Sequence, residues 1–218
     1  NCNFCSVTEM LGKKLRLRPV EEVVKHISDQ LDKKGRNIKN RFFVFVDDNV
    51  LADRVYAKEL FKALIPLKIL WISQASVNSA YDEELLDLAA KSGCKGLFIG
   101  LESISITALK EIGKKQNKID FYKEAVEIFH KKGIFVEAGL IFGFDSDTPE
   151  VFEETVKFVN SIHIDGVQYT ILTPLPGTAF YKKMIEEKRL LKKSWSEYDC
   201  TRVVFEPAGM SREELQNG

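Results

Sequence analysis

The stretch "LFIGLES", residues 97–103, is a short apolar run of strand-forming residues that ends abruptly on Glu102 and Ser103. Just before it stands Gly93, placed to stop a helix that carries Leu85, Leu86 and Ala89 and that Asp82 can cap. A strand covered on both faces has no reason to alternate polar with apolar residues, so a helix leading into an unbroken apolar run reads as half of a parallel strand–helix unit. Four more runs read the same way: "FFVFV" from Phe42, "ILWI" from Ile69, "FVEAGLIF" from Phe135 and "VQYTIL" from Val167. The five starts lie 27 to 38 residues apart, which leaves room for one crossover helix per gap, with extra material after the strand at Leu97.

The gaps carry helical patterns. Over 19–34, Val20, Val23, Val24, Ile27 and Leu31 form one apolar stripe, and Pro19 suits the first turn, where its missing N–H costs nothing. A helix over 120–132 ends at Gly133, and another starts at Thr148-Pro149 with Phe152, Val156 and Val159 expected to face inward. Buried runs alternating with amphipathic helices predict an α/β fold, a parallel sheet covered by helices. The unit length favours a partial (β/α)6 barrel of the TIM type over a doubly wound sheet. Five of its strands are visible, and the first is expected upstream of Asn1. Residues 1–178 are read as the barrel unit. Residues 179–218 are read as a helix, "AFYKKMIEEKRLL", and an irregular tail leading to a further C-terminal domain. Ser211 and Glu214 form a capping-box signature near the end, and the chain reads as the middle of a longer protein.

Composition narrows the classes. The 218 residues are 44% apolar, enough for a sizeable core, and 32 basic residues balance 32 acidic ones. A net charge of zero gives no strong nucleic-acid signal. No apolar run approaches the roughly 18 residues of a membrane helix. Four cysteines are too few for a disulfide framework in a chain of this length, which points to a reducing, cytoplasmic setting. The three histidines fall at helix ends (His130, His163) or off an apolar stripe (His26), which leaves a His-rich zinc site or a Ser-His-Asp triad with little support.

In a barrel of parallel strands, chemistry gathers where the strands end. Asp47, Asp48 and Asn49 follow the first visible strand, and Ser73, Gln74 and Asn78 the second. Glu102 and Ser103 follow the third, Gly143 and Asp145 the fourth, and "TPLPGT", Thr173 to Thr178, the fifth. Each has a plainer reading alone: Asp47 and Asp48 as caps of the next helix, Gln74 and Glu102 as satisfied polar groups, "PLPGT" as a rigid turn. Cys94 reads as structural and Cys200 as unpaired in the tail.

Before all of these comes "NCNFCSV", residues 1–7, with Cys2 and Cys5 three apart and Phe4 against the second. By itself such a pair admits a thioredoxin-type redox motif, half of a zinc site or part of an iron–sulfur site. With the other groups it resembles the radical S-adenosylmethionine (radical SAM) superfamily, which carries C-x-x-x-C-x-x-C after its first barrel strand with an aromatic before the last cysteine. "CNFC" matches the second half of that pattern, whose first cysteine would stand four residues before Cys2. "FVDDN", "GLESISITALKEIGKK", "GLIFGFDSDT" and "TPLPGTAFY" resemble further segments of the family. The tail "VVFEPAGMSREEL" resembles most closely the branch with an upstream cobalamin-binding domain.

The resemblance implies that Cys2 and Cys5 ligate a [4Fe–4S] cluster, with Phe4 beside it. It implies contacts to S-adenosylmethionine from Asp47 and Asp48 (methionine amino group), from Gln74, Glu102 and Ser103 (ribose and adenosyl groups) and from Lys114 (methionine carboxylate). Ile141 and Gly143, in the segment that lines the adenine, and Thr173 are the remaining cofactor contacts it implies. The implied activity is reductive cleavage of SAM to a 5′-deoxyadenosyl radical that abstracts hydrogen from a small-molecule substrate, fed by a reductant such as flavodoxin or ferredoxin. One branch adds cobalamin on a domain outside this chain, as in C-methyltransferases and oxidative cyclases. Another, of the methylthiotransferase or coproporphyrinogen dehydrogenase kind, works without it. A cofactor-binding barrel without radical chemistry is the reading from a different class.

Overall fold

In the computed structural model, the described residues are 2–12, 14–34, 41–114 and 117–218. Lys115, the last residue of the "GKK" segment quoted above, lies outside them. Helix α1 (Val7–Leu11) follows the cysteines, and α2 (Val20–Lys34) precedes strand β1 (Phe42–Val44). Then come α3 (Arg54–Leu64), β2 (Leu70–Ala75), α4 (Glu83–Lys91), β3 (Cys94–Glu102), α5 (Ile106–Glu111), α6 (Ile119–Lys131), β4 (Phe135–Phe142), α7 (Glu150–Ser161) and β5 (Gly166–Ile171). Helices α8 (Ala179–Glu186) and α9 (Arg212–Asn217) close the described chain.

All strand pairs are parallel, and the sheet order is β1-β2-β3-β4-β5. Right-handed crossovers that always step in one direction put every helix on the same face of the sheet. A doubly wound sheet would reverse direction once. This one does not reverse, and it is the curled wall of a half-barrel, as the unit spacing predicts.

The core fills the space between that wall and its helices. Trp71 on β2 is fully buried, stacks on Phe61 of α3 at 5.1 Å and meets Phe45 edge-on at 5.4 Å. Its ring N–H donates to Ser92 Oγ at 3.1 Å, so the one polar atom of the largest core side chain is satisfied. Leu97, Ile99, Val136 and Ala138 face the same helices from β3 and β4. Alternate residues point to the concave side, where Phe42, Val44 and Phe135 remain about half exposed. A second apolar cluster joins Leu109 and Ile112 near α5, Phe144 and Val151 near α7, and Phe180, Phe205, Met210 and Leu215. Residues beyond 178 thus share a core with the barrel, and an antiparallel bridge, Leu190 to Phe205, ties that segment together.

Local expectations hold where the signal is local. Asp82 caps α4 by accepting from Leu85 N–H at 3.1 Å, and Ser211 with Glu214 forms the capping box of α9. Three details differ. Val156 is exposed, because the inward face of α7 runs through Val151, Thr155 and Val159. The helix after Thr178 stops at Glu186, and Lys188 takes a left-handed φ of 56° that turns the chain into the tail. Finally, α3 is capped by Asp53, which accepts from Tyr56 N–H at 3.0 Å, so Asp47 and Asp48 are not that cap.

Candidate active site at the carboxyl ends of the strands

The cysteine loop is pinned from both sides by the residue inside it. Asn3 donates its backbone N–H to Ile112 O at 3.1 Å and its side-chain amide to Glu111 O at 2.7 Å, so it satisfies carbonyls left open where α5 ends. In return Asn3 O accepts from Phe180 N–H, at the start of α8, at 3.0 Å. Cys5 N–H closes a turn onto Cys2 O at 3.3 Å, and Phe4 packs into the second apolar cluster. Both cysteines are free and partly buried. Burial pushes the Cys2 thiol up, the Lys114 ammonium draws it part of the way back, and Glu102 adds to the rise.

Glu102, the last residue of β3, meets Lys114. Their side chains make an ion pair in which each is 13% exposed, and Lys114 Nζ also donates to Gly100 O at 2.8 Å. The pair folds back over Gly100, where a Cβ would run into the Glu102 carboxylate and the Lys114 ammonium. Glu102 itself has φ +68°, an uncommon conformation for a residue with a side chain, at a slip in the β3–β4 register. Beneath it, Asn117 Nδ2 donates to Gly100 O (3.1 Å) and Leu101 O (2.9 Å), and the Tyr122 hydroxyl donates to Leu101 O (2.9 Å).

The remaining candidates take varied places. Asp48 is exposed, and Asp47 lines a cavity of about 590 Å³ with Arg16, Arg18 and Tyr56. Asn49 bridges the ends of β1 and β2 by donating to Ser76 Oγ at 2.9 Å. Gln74 is exposed at the end of β2, whereas Ser73 is buried and donates to Phe45 O. Ser103 is buried, its Oγ accepting from Ser105 N–H. Ile141 is half-buried, next to last in β4, and Thr173 is buried with its hydroxyl donating to Ile171 O. Gly143 (φ +104°) is turned toward Leu215 and Phe205, and its N–H is spent on Asp147. Asp145 pairs with Lys183 (2.5 Å) and Arg189 (2.6 Å); burial raises its carboxyl, but those two partners outweigh burial and hold it below the usual range.

Sequence patterns alone passed over Asn3, Asn117, Tyr122 and Asp147. A buried Asn or Tyr announces itself only through its partners. Asp147 accepts from Gly143 and Phe144 N–H, both at 3.0 Å, on one oxygen, while its other oxygen is buried without a partner. Burial pushes its carboxyl up to about 6 from 3.8, against the pull of the two N–H donors and with a small push from Glu111. The folded state therefore holds this proton more tightly than the unfolded chain does. The stability this contributes is fully present below pH 3.8 and is lost as pH rises through about 6. Denaturant unfolding from pH 3.5 to 7.5 is expected to show that decline, of order 3 kcal/mol, and Asp147→Asn is expected to remove it.

Among the described residues no group of three or more His, Cys, Asp or Glu side chains is arranged to hold a metal ion. Cys2 and Cys5 offer two soft thiolate donors, which suits iron–sulfur ligation in kind but needs a third thiolate.

Comparison with known proteins gives the family. The chain is 31% identical over 214 residues to bacteriochlorophyllide d C-12(1)-methyltransferase of Chlorobaculum tepidum, covering 98% of this chain and 46% of that protein. It is 25% identical over 222 residues to the anaerobic magnesium-protoporphyrin IX monomethyl ester cyclase of Cereibacter sphaeroides, covering all of this chain and 35% of that one. The chain thus spans about half the length, or less, of these relatives. In structure it resembles the radical S-adenosylmethionine methyltransferase TsrM of Kitasatospora setae, solved with cobalamin and a [4Fe–4S] cluster, with a TM-score of 0.71 at 20% identity over 85% of this chain and 37% of that one. Residues 1–159 match the profile of the Radical SAM superfamily, and the chain belongs to that superfamily.

Proposed function

We propose that this chain is the catalytic barrel of a radical SAM enzyme that methylates or oxidatively cyclises a small organic substrate with cobalamin bound on another domain. The observation that carries the reading is that Asn3, inside the cysteine pair, is hydrogen-bonded to Glu111 and Ile112, in the segment that leads from Glu102 at the carboxyl end of β3 to its ion-pair partner Lys114. Relatives named as methyltransferases and cyclases favour this branch over the methylthiotransferase or coproporphyrinogen dehydrogenase kind.

Cys2 and Cys5 would hold two corners of the cluster, with a third thiolate at the position four residues ahead of Cys2. When bound, the cluster supplies the electron that cleaves SAM to methionine and a 5′-deoxyadenosyl radical able to take a hydrogen atom from substrate. Glu102 would accept hydrogen bonds from the ribose hydroxyls, because an ionised carboxylate is a pure acceptor. Lys114 would turn its spare donors to the methionine carboxylate. Asp47, Asp48, Gln74, Ser103, Ile141, Gly143 and Thr173 are carried as further contacts, and Phe4 as the apolar side of the loop. An electron donor such as flavodoxin or ferredoxin, and a reducing cytoplasmic setting, complete the proposal. No helix among the described residues is long and apolar enough to cross a membrane.

Full-length protein reconstituted anaerobically is expected to carry about four irons per chain and to release 5′-deoxyadenosine only when reduced. A well-folded, reconstituted protein without iron would sink the reading in favour of a cofactor-binding barrel. Cobalamin content of the same preparation separates the two enzyme branches.

A further inference from the structure

We infer that Asn117 and Tyr122 are positioning residues that hold Glu102 in its left-handed conformation for contact with SAM. This rests on the functional reading above and deepens it. At the register slip between Gly100 and Glu102, the carbonyls of Gly100 and Leu101 lie under an irregular stretch of backbone and take donors from side chains. Lys114 and Asn117 donate to Gly100 O, and Asn117 and Tyr122 to Leu101 O, at 2.8 to 3.1 Å. Ser103 N–H also reaches back to Leu101 O at 3.0 Å, which closes the backbone tightly around Glu102.

A left-handed residue with a side chain persists only where its surroundings over-determine it. Here the surroundings are two groups shielded from water. Asn117 is 7% exposed and Tyr122 is completely buried. Tyr122 lies in the first turn of α6 and Asn117 two residues before its start, and α6 is built into the main core through Phe121, Ala125 and Phe129. The helix thus serves as a fixed post, and the polar side chains of Tyr122 within it and Asn117 just ahead of it fasten the strand end to it. Without them Glu102 is free to relax toward extended backbone. That change of φ turns the Glu102 side chain about its own N–Cα bond, which re-aims the carboxylate and breaks its pairing with Lys114 over Gly100.

The test uses full-length, cluster-reconstituted protein with three variants. Tyr122→Phe removes only the hydroxyl, Asn117→Ala removes the bridging amide, and Phe61→Leu weakens the core at α3 without touching α6 or Glu102. SAM affinity by equilibrium dialysis, the KM for SAM in 5′-deoxyadenosine formation, iron content and the melting temperature of the apoprotein are read together. Tyr122→Phe and Asn117→Ala are expected to raise the SAM Kd and KM about tenfold with iron content unchanged. Phe61→Leu is expected to lower the melting temperature and leave Kd and KM alone. Variants at 117 and 122 that melt lower yet bind SAM like wild type would overturn the inference, because they would then be core residues only. If Asn117→Ala does not fold, Tyr122→Phe, which keeps its ring in place, decides. Wild-type protein that holds a cluster but neither binds nor cleaves SAM fails the functional reading itself, and the inference falls with it.

Discussion

A Cys5→Ser variant of the full-length protein is expected to lose its iron and to form 5′-deoxyadenosine at no more than background level, with its fold intact. Thiolate is the soft ligand that iron–sulfur clusters require, and a serine hydroxyl stays protonated at neutral pH and binds iron poorly. The loop should survive the change, because its anchors lie elsewhere. Asn3 ties it to Glu111 and Ile112, and Phe180 N–H holds Asn3 O. Circular dichroism and apoprotein melting are therefore expected to match wild type while iron and sulfide content fall. Cys94→Ser is the control. Cys94 is buried at the start of β3 with its thiol pushed up to about 12 by burial, and that variant is expected to keep its iron. Full iron content in both Cys5→Ser and Cys2→Ser would remove the cysteine pair from the site.

A Glu102→Gly variant is expected to separate stability from SAM affinity. Removing the carboxylate deletes charge-assisted hydrogen bonds worth about 1.5–3 kcal/mol each, which corresponds to about 10- to 150-fold in the KM for SAM. The fold should not suffer in proportion. Glu102 sits at φ +68°, where a side chain costs roughly 1–2 kcal/mol and glycine pays nothing in the folded state. Glycine's greater freedom in the unfolded chain returns about 0.5–1 kcal/mol of that gain. Lys114 keeps its bond to Gly100 O, so its ammonium is not stranded. The apoprotein is thus expected to melt close to wild type while SAM binding collapses. A parallel loss of both would mean that the Glu102–Lys114 pair matters for the fold rather than for a ligand.

Much of the architecture was readable before any coordinates. Amphipathic stripes and unbroken apolar runs repeat at the interval of a crossover unit, and the strand order β1-β2-β3-β4-β5 is what such units produce when each steps the same way. Caps with their partner three residues away, Asp82 and Ser211, were equally plain, since the bond closes within the segment that encodes it. The cap of α3 was not: Asp47 and Asp48 stand nearer the end of the strand, but it is the Asp53 carboxylate that accepts from Tyr56 N–H. Val156 failed for a related reason: α7 carries apolar residues beside its inward stripe as well as in it, and only packing selects the face through Val151, Thr155 and Val159.

At the site the division falls between residue type and partner. The sequence by itself determined the parallel half-barrel, the pair Cys2 and Cys5, and the polar groups at strand ends, Glu102 among them, because composition and spacing act along the chain. Only the tertiary structure decided that Glu102 is left-handed, that Lys114 rather than solvent meets it, and that Asn117 and Tyr122 hold it from 16 and 21 residues beyond Leu101. It also decided that Gly143 turns toward the tail while Asp147 takes its N–H. Hydrogen bonds that close loops of this length form only once the core has brought α6 against β3. No local propensity encodes them.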